Sequence, residues 1–316
     1  MKRNAVQVPE FCSLETLMDI DFGPEQWVVD LLFPEIGFSI IAADPKTGKS
    51  TFVRQLCICI ANAVPFLERP VSQGPILYMV MDEEPRDVQE HFQTILLSYR
   101  KHYPELSKNN IDMLFLRGRD CDEVRPAFES ALESKEYSLV VLDTLVNILP
   151  ESLDLNNYVQ TLHGLKYFTR FASKHQTHIL AVHHTNKGSS GLGQITSILG
   201  SQVIRGATDT NMVLYKDDKM DRYVTTEQRR GKEWHDVEVR MAEDGLLYLG
   251  RSRIDEMMDQ IVDFLGGGDA TVTEIINSLG NKELTTKALW RAQQIGWVSR
   301  EGKKYFCSPM PQNEQL

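Results

Sequence analysis

The chain has 316 residues, 42% of them hydrophobic and 25% charged, with a formal net charge of −10. That length suits one large domain and a small one, and the composition is that of a globular protein. The acidic balance excludes a surface that attracts nucleic acid everywhere, so such a contact needs a local basic patch or a pore built by assembly. Five cysteines (Cys12, Cys57, Cys59, Cys121 and Cys307) include no C-x-x-C pair, which argues for reduced thiols. Pro9, Glu10, Glu15 and Asp19 interrupt any signal-peptide core behind the basic start, and no window has the apolar length of a membrane span. A soluble, cytoplasmic protein with no membrane partner is expected.

Residues 1–36 read as a leader that packs on the core through Trp27-Val28-Val29 and Leu31-Leu32-Phe33-Pro34. A short apolar strand, Phe38 to Ala43, then enters the turn Asp44-Pro45-Lys46-Thr47 and reaches Gly48-Lys49-Ser50-Thr51. Strand, loop and helix in this order form the context of a phosphate-binding loop. Backbone N–H groups from the loop and helix start would cradle phosphate, Lys49 would reach the β- and γ-phosphates, and Ser50 would ligate Mg²⁺. Ala43 replaces the first glycine of G-x-x-x-x-G-K-[ST], a small-for-small departure.

Helical spacing over 49–63 is carried by Phe52, Leu56, Ile60 and Val64. The run Ile76 to Met81 predicts a strand buried on both faces. It ends in Asp82-Glu83-Glu84-Pro85, followed by helical spacing over 86–102. A carboxylate at such a strand end is placed to activate water, with Glu83 first and Asp82 close behind. The competing reading gives Asp82 and Glu84 a capping role for the next helix, whose first turn holds Pro85. Met113 to Leu116 predicts another strand and 122–135 a helix. Leu139-Val140-Val141-Leu142 then ends in Asp143, where a carboxylate would organise Mg²⁺.

A helix over 155–175 and a strand from Ile179 to Thr185 complete an alternating α/β pattern with a mainly parallel sheet. His183-His184 close that strand, where a polar side chain could sense the γ-phosphate. The rival readings are a core histidine pair or a zinc site with His175 and His178, of which zinc is the weaker, since no cysteine lies nearby. Lys187 to Gly193 is a glycine- and serine-rich loop. The segments 212–215, 223–226 and 237–239 suggest an antiparallel extension of the sheet. Arg205, Arg229 and Arg230 lie on these late segments, on the far side of the domain from the phosphate loop, which suggests a subunit interface.

From Arg251 the texture changes again. Three helical stretches (254–265, 271–279 and 283–295) and a hairpin over 296–306 give the plan of a winged helix. Lys287, Arg291, Arg300, Lys303 and Lys304 stand there against Glu301.

The ordered series Pro45 to Ser50, Tyr78 to Glu84, Leu139 to Thr144, Val182-His183-His184-Thr185-Asn186-Lys187 and Ser201 to Ala207 resembles RecA-type ATPases. It is most similar to the RepA-like branch of hexameric replicative helicases and their relatives on plasmids, phages and integrated elements. The resemblance, over about residues 20–250, implies an α/β RecA-like P-loop NTPase core at 37–250 behind the 1–36 leader; the small winged-helix-like domain at 251–316 is read from its pattern alone. It implies ATP and Mg²⁺ bound between subunits of a homo-oligomeric ring, with Asp44, Pro45, Lys46, Thr47, Gly48, Lys49, Ser50 and Thr51 around phosphate. Ser50 and Asp143 would hold the metal, Glu83 or Asp82 would activate water, and His184 would sense the γ-phosphate. Arg205 matches an arginine-finger pair with Gly206; Gln228-Arg229-Arg230-Gly231 resembles the finger segment of DnaB-like helicases, so Arg229 competes for the role.

Loops over 186–200 would meet single-stranded DNA, although Lys187 is their one cation, and the C-terminal domain would meet duplex or a replication partner protein. A helicase or initiator is the first expectation. A nucleotide-gated switch that loads or regulates a helicase is the second, and a metabolite kinase on the same loop is the third.

Overall fold

The computed structural model describes residues 11–153, 157–184, 202–217, 219–242, 245–266, 268–294 and 297–308. The expected loop 186–200 and the first ten residues lie outside them. Fourteen strands and nine α-helices are assigned among the described residues.

The centre is a nine-stranded sheet. Six strands run parallel: β3 (Gly37–Ala43), β4 (Ile76–Val80), β5 (Ile111–Phe115), β6 (Leu139–Asp143), β7 (His178–His184) and β8 (Thr210–Lys216). Beyond β8, the strands β9 (Arg222–Gln228), β10 (Val237–Met241) and β11 (Leu247–Ser252) are antiparallel. The order is β11-β10-β9-β8-β3-β7-β6-β4-β5. The apolar runs explain the interior positions: β3, β4 and β6 are buried at every residue, as strands covered on both faces must be. Met212 to Tyr215 differs from its expectation, because β8 pairs in parallel with β3 and the antiparallel part begins one strand later. β11 carried no clear periodic signal.

Two helices, α2 (Lys49–Asn62) and α3 (Pro85–Arg100), cover one face of the sheet; α4 (Cys121–Ser134), α5 (Tyr158–His175) and α6 (Gln202–Ala207) cover the other. Strand alternation divides the core accordingly, with Tyr78, Val80, Val141 and Val182 on the α2 side and Met79, Leu142 and Ala181 on the α5 side. The phosphate-loop helix is buried far beyond one stripe, from Phe52 through Ala61. Gln55 explains how a polar side chain survives there. Its amide donates to Leu247 O and accepts from Leu247 N, both at 2.8 Å, fastening β11 over α2.

In the leader, β1 (Trp27–Val29) and β2 (Phe33–Pro34) form an antiparallel pair whose Val28, Val29 and Phe33 enter the core. The short α1 (Leu14–Met18) buries no residue, so packing of the leader starts at Trp27 among the described residues.

The C-terminal residues form α7 (Arg253–Leu265), α8 (Val272–Leu279), α9 (Lys282–Gln294) and a small antiparallel sheet. In that sheet β12 (Ala270–Thr271) adds to the expected hairpin of β13 (Val298–Glu301) and β14 (Lys304–Cys307). Their apolar residues, including Met258, Ile261, Ile275, Leu289 and Val298, make a core of their own. Thr271 and Glu274 close a capping box at the start of α8. Arg253 joins this part to the sheet, paired with Asp217 and lying 3.8 Å over the Tyr223 ring. No helix among the described residues is long and apolar enough to cross a membrane.

Candidate functional site

The loop from Asp44 to Gly48 joins the C-terminal end of β3 to α2. Gly48 sits at the helix N-cap with φ of 108°, a left-handed conformation that a side chain would strain. It caps without a side chain, and the first turn of α2 holds no acid. The open N–H groups and positive end of the helix are therefore left to an anion. Thr47 is buried and its hydroxyl donates to Asp44 O at 2.8 Å, tightening the turn. Asp44, Pro45 and Lys46 are exposed, while Gly48, Ser50 and Thr51 are half-buried beside the turn.

Lys49 is buried, and its ammonium donates back to the carbonyls of Ala43 and Asp44. Burial pulls its pKa down to about 8, against the attraction of Asp143 and Asp44. A cation held in a low-dielectric turn, at an uncapped helix start, fits a polyphosphate. With the half-buried Ser50 hydroxyl and the Asp143 carboxylate nearby, the donor set also fits a hard cation such as Mg²⁺.

Parallel pairing gathers the rest at the same sheet edge. Asp143 ends β6 and Val80 ends β4 beside it, while β7 ends in His183 and His184 opposite Ala42 and Ala43. Asp143 is buried and accepts a 2.6 Å hydrogen bond from the Tyr78 hydroxyl, two residues down the neighbouring strand. Burial raises its pKa, opposed by that bond and by Arg54. His184 follows Val182 on the α2 side of the sheet by strand alternation. Burial and the field of Lys49 lower its pKa, and Asp82 raises it. His183 is held down at about 4, first by burial.

The three acids after β4 separate into different environments. Asp82 accepts from Thr144 at 3.0 Å and from the Asn147 amide, and lines an open pocket of about 460 Å³ with Arg117 and Arg119. Glu83 meets Arg54 of α2 at 2.7 Å and His91 of α3 at 3.6 Å. Glu84 occupies the N-cap position of α3 but makes no side-chain cap bond there; it pairs with Arg117.

The late arginines stand apart. Arg229 directly follows β9, next to Gly206 and Asp209, where its side chain donates to Gly206 O. Arg230 pairs with Glu25 at 2.6 Å and Asp209 at 3.3 Å. Both lie near the start of β3, opposite the phosphate-loop end. Arg205 is in α6, with its side chain outside the described residues.

Sequence reasoning missed four participants: Arg54, Tyr78, Asn147 and Arg222. Arg54 had a signal, a single charge inside the apolar run Phe52 to Ala61 of a helix. Arg222 donates to Thr47 O at 3.0 Å and so braces the phosphate loop from β9, a contact that depends on β8–β9 register. No local pattern announces it.

No curated protein matches the chain. Among solved structures, one described as an "ATPase Domain" superposes with a TM-score of 0.51 at 14% identity, covering 68% of this chain and 84% of that one. At that identity the likeness shows the fold, a RecA-type P-loop core with a large, mostly parallel sheet. Residues 14–190, more than half of the chain, match the family described as "AAA domain", and that stretch contains the phosphate loop, Asp82, Glu83, Asp143 and His184. The chain belongs to the AAA domain family.

Proposed function

We propose that the chain is a DNA-associated ATPase of the RepA-like kind, a ring-forming helicase or replication initiator that hydrolyses ATP at subunit interfaces. The observation that carries this reading is the convergence of Lys49, Asp143, Asp82, Glu83 and His184 at one sheet edge of a RecA-type core. Lys49 and the α2 start hold the phosphates, with Asp44 to Thr51 forming the cradle, and Ser50 and Asp143 hold Mg²⁺. Bound Mg²⁺ supplies charge neutralisation on the transferred phosphoryl group. Asp82 and Glu83 compete for water activation. The open pocket beside Asp82 supports it as the base, and the Arg54 ion pair supports Glu83 as the group that fixes α2 against β4. His184 reports on the γ-phosphate. Arg229 or Arg205 acts in trans, from the sheet edge remote from the chain's own loop.

In this reading residues 1–36 are a leader, 37–250 the ATPase domain, and 251–316 a winged-helix-like domain. Three helices with a three-stranded sheet and a separate core support the last. The chain acts in the cytoplasm as a homo-oligomer, hexameric by family likeness, on single-stranded DNA and with duplex or a replication partner at its C-terminal part.

A second reading, a nucleotide-gated switch without unwinding, is favoured by one observation. Lys287, Arg291 and Lys304 are each paired with an acid, Glu283, Asp255 and Asp269, which drains the basic excess of the C-terminal part. ATP turnover with and without single-stranded DNA, measured alongside solution mass with ATP for wild type and Lys49→Ala, separates the two. DNA-stimulated turnover by a ring-sized assembly, lost in Lys49→Ala, supports the motor. ATP-dependent assembly with turnover indifferent to DNA supports the switch, and a monomer with neither property sinks both.

A further inference from the structure

On the face of the sheet opposite α2, α4 and α5 leave an open groove of about 720 Å³. Its lining among the described residues includes Arg125 from α4 and His163, Lys166 and Arg170 from α5, and no acid. The three α5 residues fall on one helix face, with Lys166 and Arg170 about 6 Å apart along the axis. Gly164 allows the wall to close: a Cβ there would stand 2.5 Å from Leu153 Cδ1. His163, Lys166 and Arg170 are exposed, and among the described residues none of them makes a hydrogen bond or ion pair. Elsewhere on the surface basic side chains are commonly matched, as Lys135 with Asp112 and Lys174 with Glu133. In a chain of net charge −10, this cluster of unmatched cations stands out.

We propose that the α4–α5 groove binds the phosphate backbone of single-stranded nucleic acid, an inference that rests on the DNA-associated reading above. The chemistry is that of a backbone track rather than a base reader. The Tyr167 ring is covered by the Arg125 guanidinium at 4.6 Å and its hydroxyl is tied to Glu129, so that face is closed to base stacking. Arg125 is itself fixed by a 3.0 Å bond to Ile148 O, which preorganises one charge, while Lys166 and Arg170 remain free to follow successive phosphates. A groove of small-ligand volume admits a strand and not a duplex. It also supplies the cations that the 186–200 segment, with Lys187 alone, lacks.

The test is fluorescence anisotropy of a labelled oligo-dT with the full chain over a salt series. The variants are Lys166→Ala/Arg170→Ala and, as a control, Lys303→Ala/Lys304→Ala. Loss of two phosphate contacts should lower the log–log salt slope by about 1.4 and weaken binding about tenfold at moderate salt. The control should keep the wild-type slope. Both groove positions are exposed, so the variant should keep its fold and its ATP turnover without DNA. Oligonucleotide binding equal in wild type and groove variant overturns the groove and leaves the DNA-associated reading standing. No oligonucleotide binding by wild type overturns both. Binding of polyglutamate in place of DNA, lost in the groove variant, would assign the groove to an acidic protein partner and overturn the nucleic-acid proposal.

Discussion

Removing Glu83 and removing Arg54 should have very different effects on stability, although the two residues share one ion pair. Arg54 is 2% exposed, and its guanidinium contacts Glu83 at 2.7 Å and His91 Nδ1 at 2.7 Å; its Nε finds no hydrogen-bond partner. Glu83 is 29% exposed. Glu83→Ala therefore strands a buried cation whose remaining close contact is a histidine ring. Breaking a buried pair in this way costs roughly 3–5 kcal/mol, and the retained His91 bond puts the expectation at the lower end, about 3 kcal/mol. Arg54→Met removes the buried charge itself. Glu83 then turns to water, and the methionine fills the space beside Phe92, whose ring the guanidinium now approaches at 5.9 Å. Asp143 loses the field of Arg54 as well, so that substitution should cost about 1 kcal/mol, still well below Glu83→Ala. On the Arg54→Met background, Glu83→Ala should add little, giving a coupling energy of about 3 kcal/mol. Urea unfolding of the four proteins at pH 7, compared at a common m-value, reads these differences directly. Additive losses, or an Arg54→Met variant as unstable as Glu83→Ala, would refute the assignment of the cost to a stranded charge.

Two further outcomes follow from ionisation. Nucleotide phosphate beside Lys49 should raise its pKa from about 8, so binding takes up about half a proton at pH 8 and weakens as pH rises past that value. Calorimetry in buffers of different ionisation heat checks this; no uptake, or equal uptake in Lys49→Arg, would show that Lys49 is not the group involved. Burial holds His178 at about 4, below its unfolded value of 6.5, against the attraction of Asp209. The unfolded chain binds that proton first, so stability is fully present above pH 6.5 and drains as pH falls towards 4. Between pH 7 and 4.5, His178→Leu should lose about 2 kcal/mol less than wild type, with the His183 contribution left in place. Superimposable pH curves would exclude His178 as a source of acid lability.

The nucleotide edge was legible because its parts are local. Gly48-Lys49-Ser50 needs a strand before it and a helix after it, and the Val140 to Asp143 run announces its own strand end. Parallel pairing then does the assembly, since strands buried on both faces can place their terminal acids at only one edge. What stayed hidden depends on tertiary register. Arg222 reaches Thr47 because Lys216 pairs with Arg222 at the β8–β9 turn. Arg54 and Tyr78 act through partners 29 and 65 positions away in the sequence. The acids that offset the basic texture after residue 285 stayed hidden for the same reason. Three of its five cations are offset by acids, and two of those, Asp255 and Asp269, lie well upstream of them.

Topology also constrains the competing arginines. Arg229 follows Gln228, which pairs with Thr210, and Thr210 pairs with Ser39 at the start of β3. Lys49 lies beyond the other end of that strand. The four residue steps from Ser39 to Ala43 alone span about 13 Å, before the loop is added. An arginine side chain anchored to Gly206 O cannot cover that gap, so Arg229 has no role at its own phosphate loop. Arg222, already bonded to the loop backbone, is the arginine of this sheet placed to act in cis. Any part Arg229 plays in phosphate chemistry therefore demands a second copy of the chain. An Arg229→Ala subunit mixed with a Lys49→Ala subunit gives the decisive case. If Arg229 serves its neighbour, some interfaces in the mixed assembly join an intact loop to an intact Arg229, and turnover recovers above that of either variant alone. If turnover in the mixture never exceeds the sum of the two, Arg229 is a structural residue of the sheet edge.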